Sequence, residues 1–223
     1  MSDIPRDLFE AWRSPRFGVE NPTRHDNPLW ASLVHDRVNA WQVNQRYGHE
    51  RKRGDGPTWC FDRFGQSTTE LPDGRTVYIG GEHEDYYDPD FCIYNDVFVH
   101  GGDGSITIFG YPEKVFPPTD FHTATLIDEA IYVIGSLGYQ GTRRFGHTPV
   151  HRLDVRTFQI ETVDATGESP GWIYEHRARL VGSSDIRIWG GKIARPDGAR
   201  ETRDKNDATF VLNIDRLQWR REH

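Results

Sequence analysis

Beyond residue 61, short apolar runs alternate with turn residues in the same order three times. Each copy holds four runs rich in β-branched and aromatic residues, a pattern typical of an antiparallel meander. The predicted strands are 66–69, 77–79, 97–100 and 106–109; 122–126, 131–134, 150–153 and 158–163; and 176–181, 186–189, 210–214 and 217–220. We therefore predict an all-β fold of three four-stranded sheets.

The second strand of each copy ends in glycine at a fixed period. Gly80, Gly135 and Gly190 are evenly spaced in the sequence. Such self-similarity marks a repeat architecture. Glycine at a strand end permits close approach of a neighbouring backbone and a positive φ. The residues just before these glycines are predicted to be buried at matching places: Ile79, Ile134 and Trp189.

Over residues 62–223 these copies resemble the kelch repeat of β-propellers. The matching residues are the glycine pairs at 80–81 and 190–191, the degenerate pair Gly135-Ser136, the late aromatic Trp219, and Phe158 in its place in the middle copy. The resemblance implies kelch-like blades, three of them forming a half-propeller, and an interaction module whose long loops bind a protein or peptide partner. The alternative is an all-β sandwich with coincidental glycines, because regularly spaced strands also suit sandwiches.

Residues 1–61 lack the repeat and are predicted to form a separate N-terminal segment before the repeats at 62–223. Asn27-Pro28 looks like a helix N-cap followed by proline at the first helical position. After it, apolar residues recur at helical spacing, which predicts one helix over 28–46. One face of this helix carries Trp30, Leu33, Val34, Val38 and Trp41, and its two tryptophans are predicted to pack on a propeller edge or on a partner subunit.

Composition excludes some classes of function. The net charge of −7 disfavours a nucleic-acid partner. No apolar run approaches the length that a membrane-spanning helix needs, so no membrane span is expected. Two cysteines, Cys60 and Cys92, do not make a disulfide framework, which favours a cytoplasmic setting.

The segment 82–96 is the strongest chemical candidate, because it holds six carboxylates and no Lys or Arg. Clustered carboxylates suit a divalent cation such as Ca²⁺, and a nearby histidine, His83, suits Zn²⁺. The predicted metal ligands are Glu82, Glu84, Asp85, Asp88, Asp90 and Asp96. The alternative is an acidic loop folded back on its tyrosines, with carboxylates bonded to amides or to arginines of a neighbouring blade. We also predict binding roles for His83, Tyr86 and Tyr87.

His122 and His176 occupy equivalent repeat positions, one at the start of each later copy. Histidines at one level of a propeller would face the central channel, and both are candidate binding residues. The resemblance also offers a framework role, in which each histidine bonds a neighbouring blade.

The predicted function is partner binding through the loops at 82–96, 136–149 and 191–208, which should share one face because each follows a glycine-ended strand. The alternative is a small-molecule or sugar-acting enzyme or binder, metal-assisted, at the channel mouth, and it rests on fold analogy alone.

Three blades leave two flanks open, so we predict a homodimer that closes a six-bladed ring. The competing prediction is that residues 1–61 add strands and close a small monomeric propeller.

Overall fold

The computed structural model describes residues 4–50, 55–83 and 91–222. The N-terminal segment contains α1 (Arg6–Trp12), β1 (Thr23–His25), α2 (Pro28–Asp36) and α3 (Ala40–Arg46). The first repeat contains β2 (Ser67–Glu70), β3 (Thr76–Ile79), β4 (Glu82–His83), β5 (Cys92–Ile93), β6 (Val97–His100) and β7 (Ile106–Gly110). The second contains β8 (Thr123–Ile127), β9 (Ala130–Ile134), β10 (Val150–Asp154) and β11 (Ile160–Thr162). The third contains β12 (Thr166–Gly167), β13 (Trp172–Tyr174), β14 (Arg177–Val181), β15 (Asp185–Trp189), β16 (Lys192–Asp197), β17 (Arg200–Lys205), β18 (Thr209–Asn213) and β19 (Gln218–Glu222).

The three predicted blades are confirmed. Blade 1 has the order β7-β6-β3-β2, blade 2 the order β11-β10-β9-β8, and blade 3 the order β19-β18-β15-β14, each antiparallel throughout. Two short strands add to the outer edges, β1 beside β7 and β12 beside β19. Phe158 and Leu217, predicted to begin strands, instead lie before them with φ of 58° and 50°.

The first strands of the blades lie next to one another, β8 beside both β2 and β14. A backbone ladder links the residues that enter these strands. The Phe121 amide donates to the Gly65 carbonyl, and the Glu175 amide donates to the Phe121 carbonyl, both at 2.9 Å. All three residues have positive φ. The same turn therefore brings each blade to the common axis.

The single helix predicted over 28–46 is wrong, because the structure contains two helices there. Arg37 ends α2 in the left-handed conformation with φ 52°. Asn39 then caps α3, accepting from the Gln42 amide while the Gln42 side chain accepts from the Asn39 amide. The new helix axis turns Trp41 outward, so its side chain is 61% exposed instead of packed.

The N-terminal segment covers the outer flank of blade 1. Trp30 of α2 stacks on Trp59 at 5.0 Å between ring centroids, and Trp59 meets Phe98 of β6 edge-on. Tyr78 and Ile108 belong to the same buried cluster. The predicted six-bladed ring needs both flanks of the blade array open, yet the chain's own helices cover one of them.

Two further cores fill the spaces between blades. Ile79 lies in the core between blades 1 and 2, and Ile134 lies at the equivalent place between blades 2 and 3. Trp189 occupies the same position of blade 3 but is only half-buried, because it faces away from blade 2. The prediction of matching burial is therefore right for two residues and wrong for Trp189.

Candidate functional site: the loop face

The loops that follow the glycine-ended strands share one face, as predicted, and we call it the loop face. The Ile93 amide donates to the Tyr139 hydroxyl at 2.9 Å, which joins the first loop to the second. Arg143 forms a buried ion pair with Glu201, which joins the second loop to the third. The third is not an irregular loop but the hairpin β16–β17, which pairs with β13 in a three-stranded sheet.

Most of the predicted metal site lies outside the described residues. This applies to four predicted ligands, Glu84, Asp85, Asp88 and Asp90, and also to the predicted binding residues Tyr86 and Tyr87. Among the residues that are described, no group of three or more His, Cys, Asp or Glu side chains is arranged to hold a metal ion. The divalent-cation site therefore stays a prediction.

Asp96 is buried and bonded to protein donors. Its carboxylate accepts from Arg63 at 2.5 and 3.1 Å and from the Trp59 indole at 2.6 Å. Two charge-assisted bonds of this kind hold a guanidinium and a carboxylate in a fixed plane. These contacts match the alternative in which a carboxylate bonds an arginine, although Arg63 precedes blade 1 rather than belonging to a neighbouring blade.

Arg63 connects this pair to the base of the loop face. It donates to the carbonyls of Cys60 and Gly80, and its guanidinium lies 3.5 Å from the centre of the Tyr94 ring. Arg63 and Asp96 are far apart in the sequence, and no local pattern signalled their contact. The result is a rigid floor beneath the first loop.

Glu82 and His83 are both buried in β4. The Glu82 side chain lies within hydrogen-bonding reach of Asp120, which is fully buried between blades 1 and 2. Burial raises the pKa of Asp120, although it accepts from the Gly138 amide at 2.6 Å and from the Ser136 hydroxyl at 3.2 Å. Asp120 was not predicted to belong to a site, because its only signal in the sequence is its position shortly before His122.

His122 and His176 each bond the first strand of the preceding blade. His122 Nε2 is 2.7 Å from the Ser67 hydroxyl, and His176 Nε2 is 3.0 Å from the Thr123 hydroxyl. Burial lowers the pKa of both imidazoles to about 3, so both are neutral at neutral pH. This geometry matches the framework role; their binding role stays a prediction.

An aromatic groove opens on the loop face beside β4. It encloses about 470 Å³ and is lined by Asn39, Ala40, Trp41, Asp62, Arg63, Phe64, Glu82 and His83. Phe64 is 63% exposed and Trp41 61% exposed, which is unusual for side chains of this size. Trp41 was predicted to pack on a propeller edge or on a partner subunit, and Phe64 was not predicted to have a role, since neither exposure has a local signal.

The comparisons with known proteins agree with the blade architecture. No protein-family model matches the chain. The chain is similar to Kelch domain-containing protein 3 from Bos taurus, with 26% identity over 144 residues. The match covers 64% of this chain and 35% of that protein, so the chain spans about a third of the relative's length. Among the described helices, none has the length and apolar character needed to cross a membrane. Sequence, structure and relative together identify an all-β fold of kelch-like blades.

Proposed function

We propose that this chain is a protein-interaction module whose partner inserts an apolar side chain into the groove between Trp41 and Phe64. The observation that carries the proposal is the pair of large aromatic side chains, 61% and 63% exposed, at one concave site. Exposed apolar surface at a groove marks an interaction site more often than scattered exposed residues do.

Aromatic side chains dominate the energetics of protein interfaces, because they bury large areas at a small cost in conformational entropy. Here the surrounding backbone is also fixed. Trp41 is on α3, whose first turn is held by the capping box at Asn39. Phe64 pairs through its backbone with Glu82, in both directions, at 2.9 and 2.8 Å. A groove whose backbone is already held in place loses less conformational entropy when a partner binds.

The charged residues of the groove indicate the partner's chemistry. Asp62 is exposed at its rim, Glu82 lies on its floor, and the Arg63 guanidinium is already neutralised by Asp96. Complementary charges mainly speed the encounter of two proteins and fix how they align in the complex. We therefore expect a partner segment that carries an apolar anchor next to Lys or Arg. The similarity to a protein named for its kelch domain supports an interaction role, as do repeat scaffolds that bind through loops on one face.

Site-specific photo-cross-linking tests the proposal. A benzophenone amino acid is placed at position 64, and cross-linked proteins from the cell are identified by mass spectrometry. We expect a partner whose capture is lost when Trp41→Ala is added. The matched control is Phe17→Ala, because Phe17 is also an exposed aromatic, at 50%, but does not line the groove.

Two results would contradict the proposal. One is capture that is unaffected by Trp41→Ala; the other is capture that Phe17→Ala weakens equally. Thermal unfolding of each variant separates loss of binding from loss of fold. Both exposed substitutions should leave the melting temperature near that of the original chain, because surface substitutions usually change stability by less than about 0.5 kcal/mol.

A further inference from the structure

The outer face of the third blade is a second surface, separate from the loop face. Side chains alternate across a strand, and residues paired across antiparallel strands lie on the same face. Arg177 pairs with Trp189, Arg179 with Arg187, and Val211 with both Arg187 and Arg220. Ile186, Ile188, Leu212 and Trp219 lie on the opposite face, against blade 2. The outer face is defined by Arg177, Arg179, Arg187, Trp189, Val211 and Arg220.

Repeat equivalence shows what is unusual about this face. Val77 and Tyr132 occupy the positions of blades 1 and 2 that correspond to Arg187, and both are buried. Val77 lies in the core toward blade 2, and Tyr132 lies in the core toward blade 3. The position that faces the next blade is thus apolar in blades 1 and 2 but arginine in blade 3. A fourth blade packed here would bury guanidinium groups, at a cost of several kcal/mol for each one that is left without a partner.

The charges on the face are unbalanced. Arg187 pairs with Glu222 at 2.7 Å, and Arg220 pairs with Asp185 at 3.3 Å and with Glu222 at 3.4 Å. Arg177 and Arg179 have no carboxylate partner among residues 4–50, 55–83 and 91–222. Arg179 lies 5.9 Å from the centre of the half-exposed Trp189 ring. Four guanidinium groups therefore face two carboxylates around one aromatic ring.

We infer that the outer face of the third blade binds an acidic segment of a partner protein, with an apolar side chain against Trp189. The excess of arginine on this face favours a partner segment that carries negative charge. Arginine pairs with carboxylates through two parallel hydrogen bonds and is enriched at protein interfaces. A second copy related by a two-fold axis would place these arginines against the same arginines. A second copy arranged head to tail would need the flank of blade 1, which α2 and Trp59 cover.

Binding of a defined probe tests the inference. The probe is a short fluorescein-labelled peptide of alternating Glu and Leu, and the readout is fluorescence anisotropy at physiological salt. We expect the charge-reversed pair Arg177→Glu and Arg179→Glu to weaken binding by about tenfold or more. The matched control reverses Arg195 and Lys205 on the β16–β17 hairpin, which changes the net charge equally at exposed positions. The control should bind like the original chain.

Three outcomes overturn the inference. Equal loss in the test and control pairs would indicate unspecific attraction between net charges. Light scattering that shows a dimer, lost on Arg179→Glu, would make a second copy the occupant. A DNA duplex that binds more tightly than the peptide, with the same dependence on Arg177 and Arg179, would replace an acidic protein segment by a nucleic acid. None of these outcomes involves Trp41 or Phe64, so the two proposals fail independently.

Discussion

Several buried polar side chains are paired with partners from distant parts of the chain. Arg63 and Asp96 bond each other under the first loop, with side-chain exposures of 0% and 5%. His122 and His176 bond hydroxyl groups of the preceding blade. A buried polar group without a partner costs more than a hydrogen bond contributes, so removing one member of such a pair is expensive.

Asp96→Asn should lower the free energy of unfolding by about 3–5 kcal/mol, the usual cost of leaving a buried charge without its partner. Urea unfolding followed by tryptophan fluorescence measures it. Asp62→Asn is the control, because Asp62 is exposed on the same segment as Arg63. If the two variants were equally stable, the Arg63–Asp96 pair would not contribute to folding.

The two framework histidines should make the protein sensitive to acid. Their pKa values are lowered from 6.5 to about 3 by burial, so the unfolded chain binds more protons between those pH values. The free energy of unfolding is therefore highest above pH 6.5 and falls as pH falls toward 3. Each histidine contributes a slope of up to about 1.4 kcal/mol per pH unit.

His122→Gln should reduce that slope, measured by urea unfolding between pH 6.5 and about 5, because glutamine does not titrate. An unchanged slope in His122→Gln would mean that His122 is charged in the folded state or that other groups set the acid limit.

At the scale of the strand, the repeated glycines allow one blade to approach the next. A Cβ at Gly80 would lie 2.1 Å from the Thr119 carbonyl oxygen, and one at Gly135 would lie 2.4 Å from the Ile173 carbonyl oxygen. A Cβ at Gly190 would meet nothing within 4 Å. All three glycines have positive φ, at 57°, 78° and 67°. Gly190 has room for a Cβ because no described blade lies beyond blade 3, whereas Gly80 and Gly135 each lie against backbone that leads into the next blade.

Gly80→Ala and Gly135→Ala should therefore cost about 1–3 kcal/mol more than Gly190→Ala, the usual penalty for overpacking. The strain of an alanine held at positive φ is common to all three variants and cancels in the comparison. Thermal and urea unfolding of the three variants measure the difference. Equal destabilisation at the three positions would show that positive φ alone requires glycine there.

At the scale of the molecule, the two flanks of the blade array differ. Blade 1 is covered by the N-terminal helices and by Trp59, and β1 extends its sheet. Blade 3 presents an arginine-rich face that has no apolar complement in the described part of the chain. The N-terminal segment adds one strand to blade 1 but builds no fourth blade from the residues described, so the predicted small closed propeller is not what it forms.

Light scattering of the purified chain should give a mass near 25.8 kDa at micromolar concentration. The physical reason is that head-to-tail pairing needs the covered flank of blade 1, whereas two-fold pairing of blade 3 brings like charges together. A mass of about twice this value would contradict the argument and restore the homodimer predicted from the repeat count.

The amino-acid sequence was sufficient to predict the number of blades, their strand order and the place of the loops. Those features are local, since strand alternation, turn residues and the glycines at 80, 135 and 190 all act within a short stretch of chain. Asn27-Pro28 likewise located the start of α2 correctly. The break at Arg37 was not predicted, because positive φ is uncommon in residues other than glycine.

Which side chains meet and which stay exposed became clear only in the folded molecule. Trp41 and Trp189 both fit apolar patterns, yet one was turned outward by a helix break and the other has no described blade beside it. Asp96 fitted a metal pattern, yet Arg63, from a distant part of the sequence, bonds its carboxylate. The physical reason is common to all three: burial and pairing depend on neighbours distant in sequence, which periodicity does not encode.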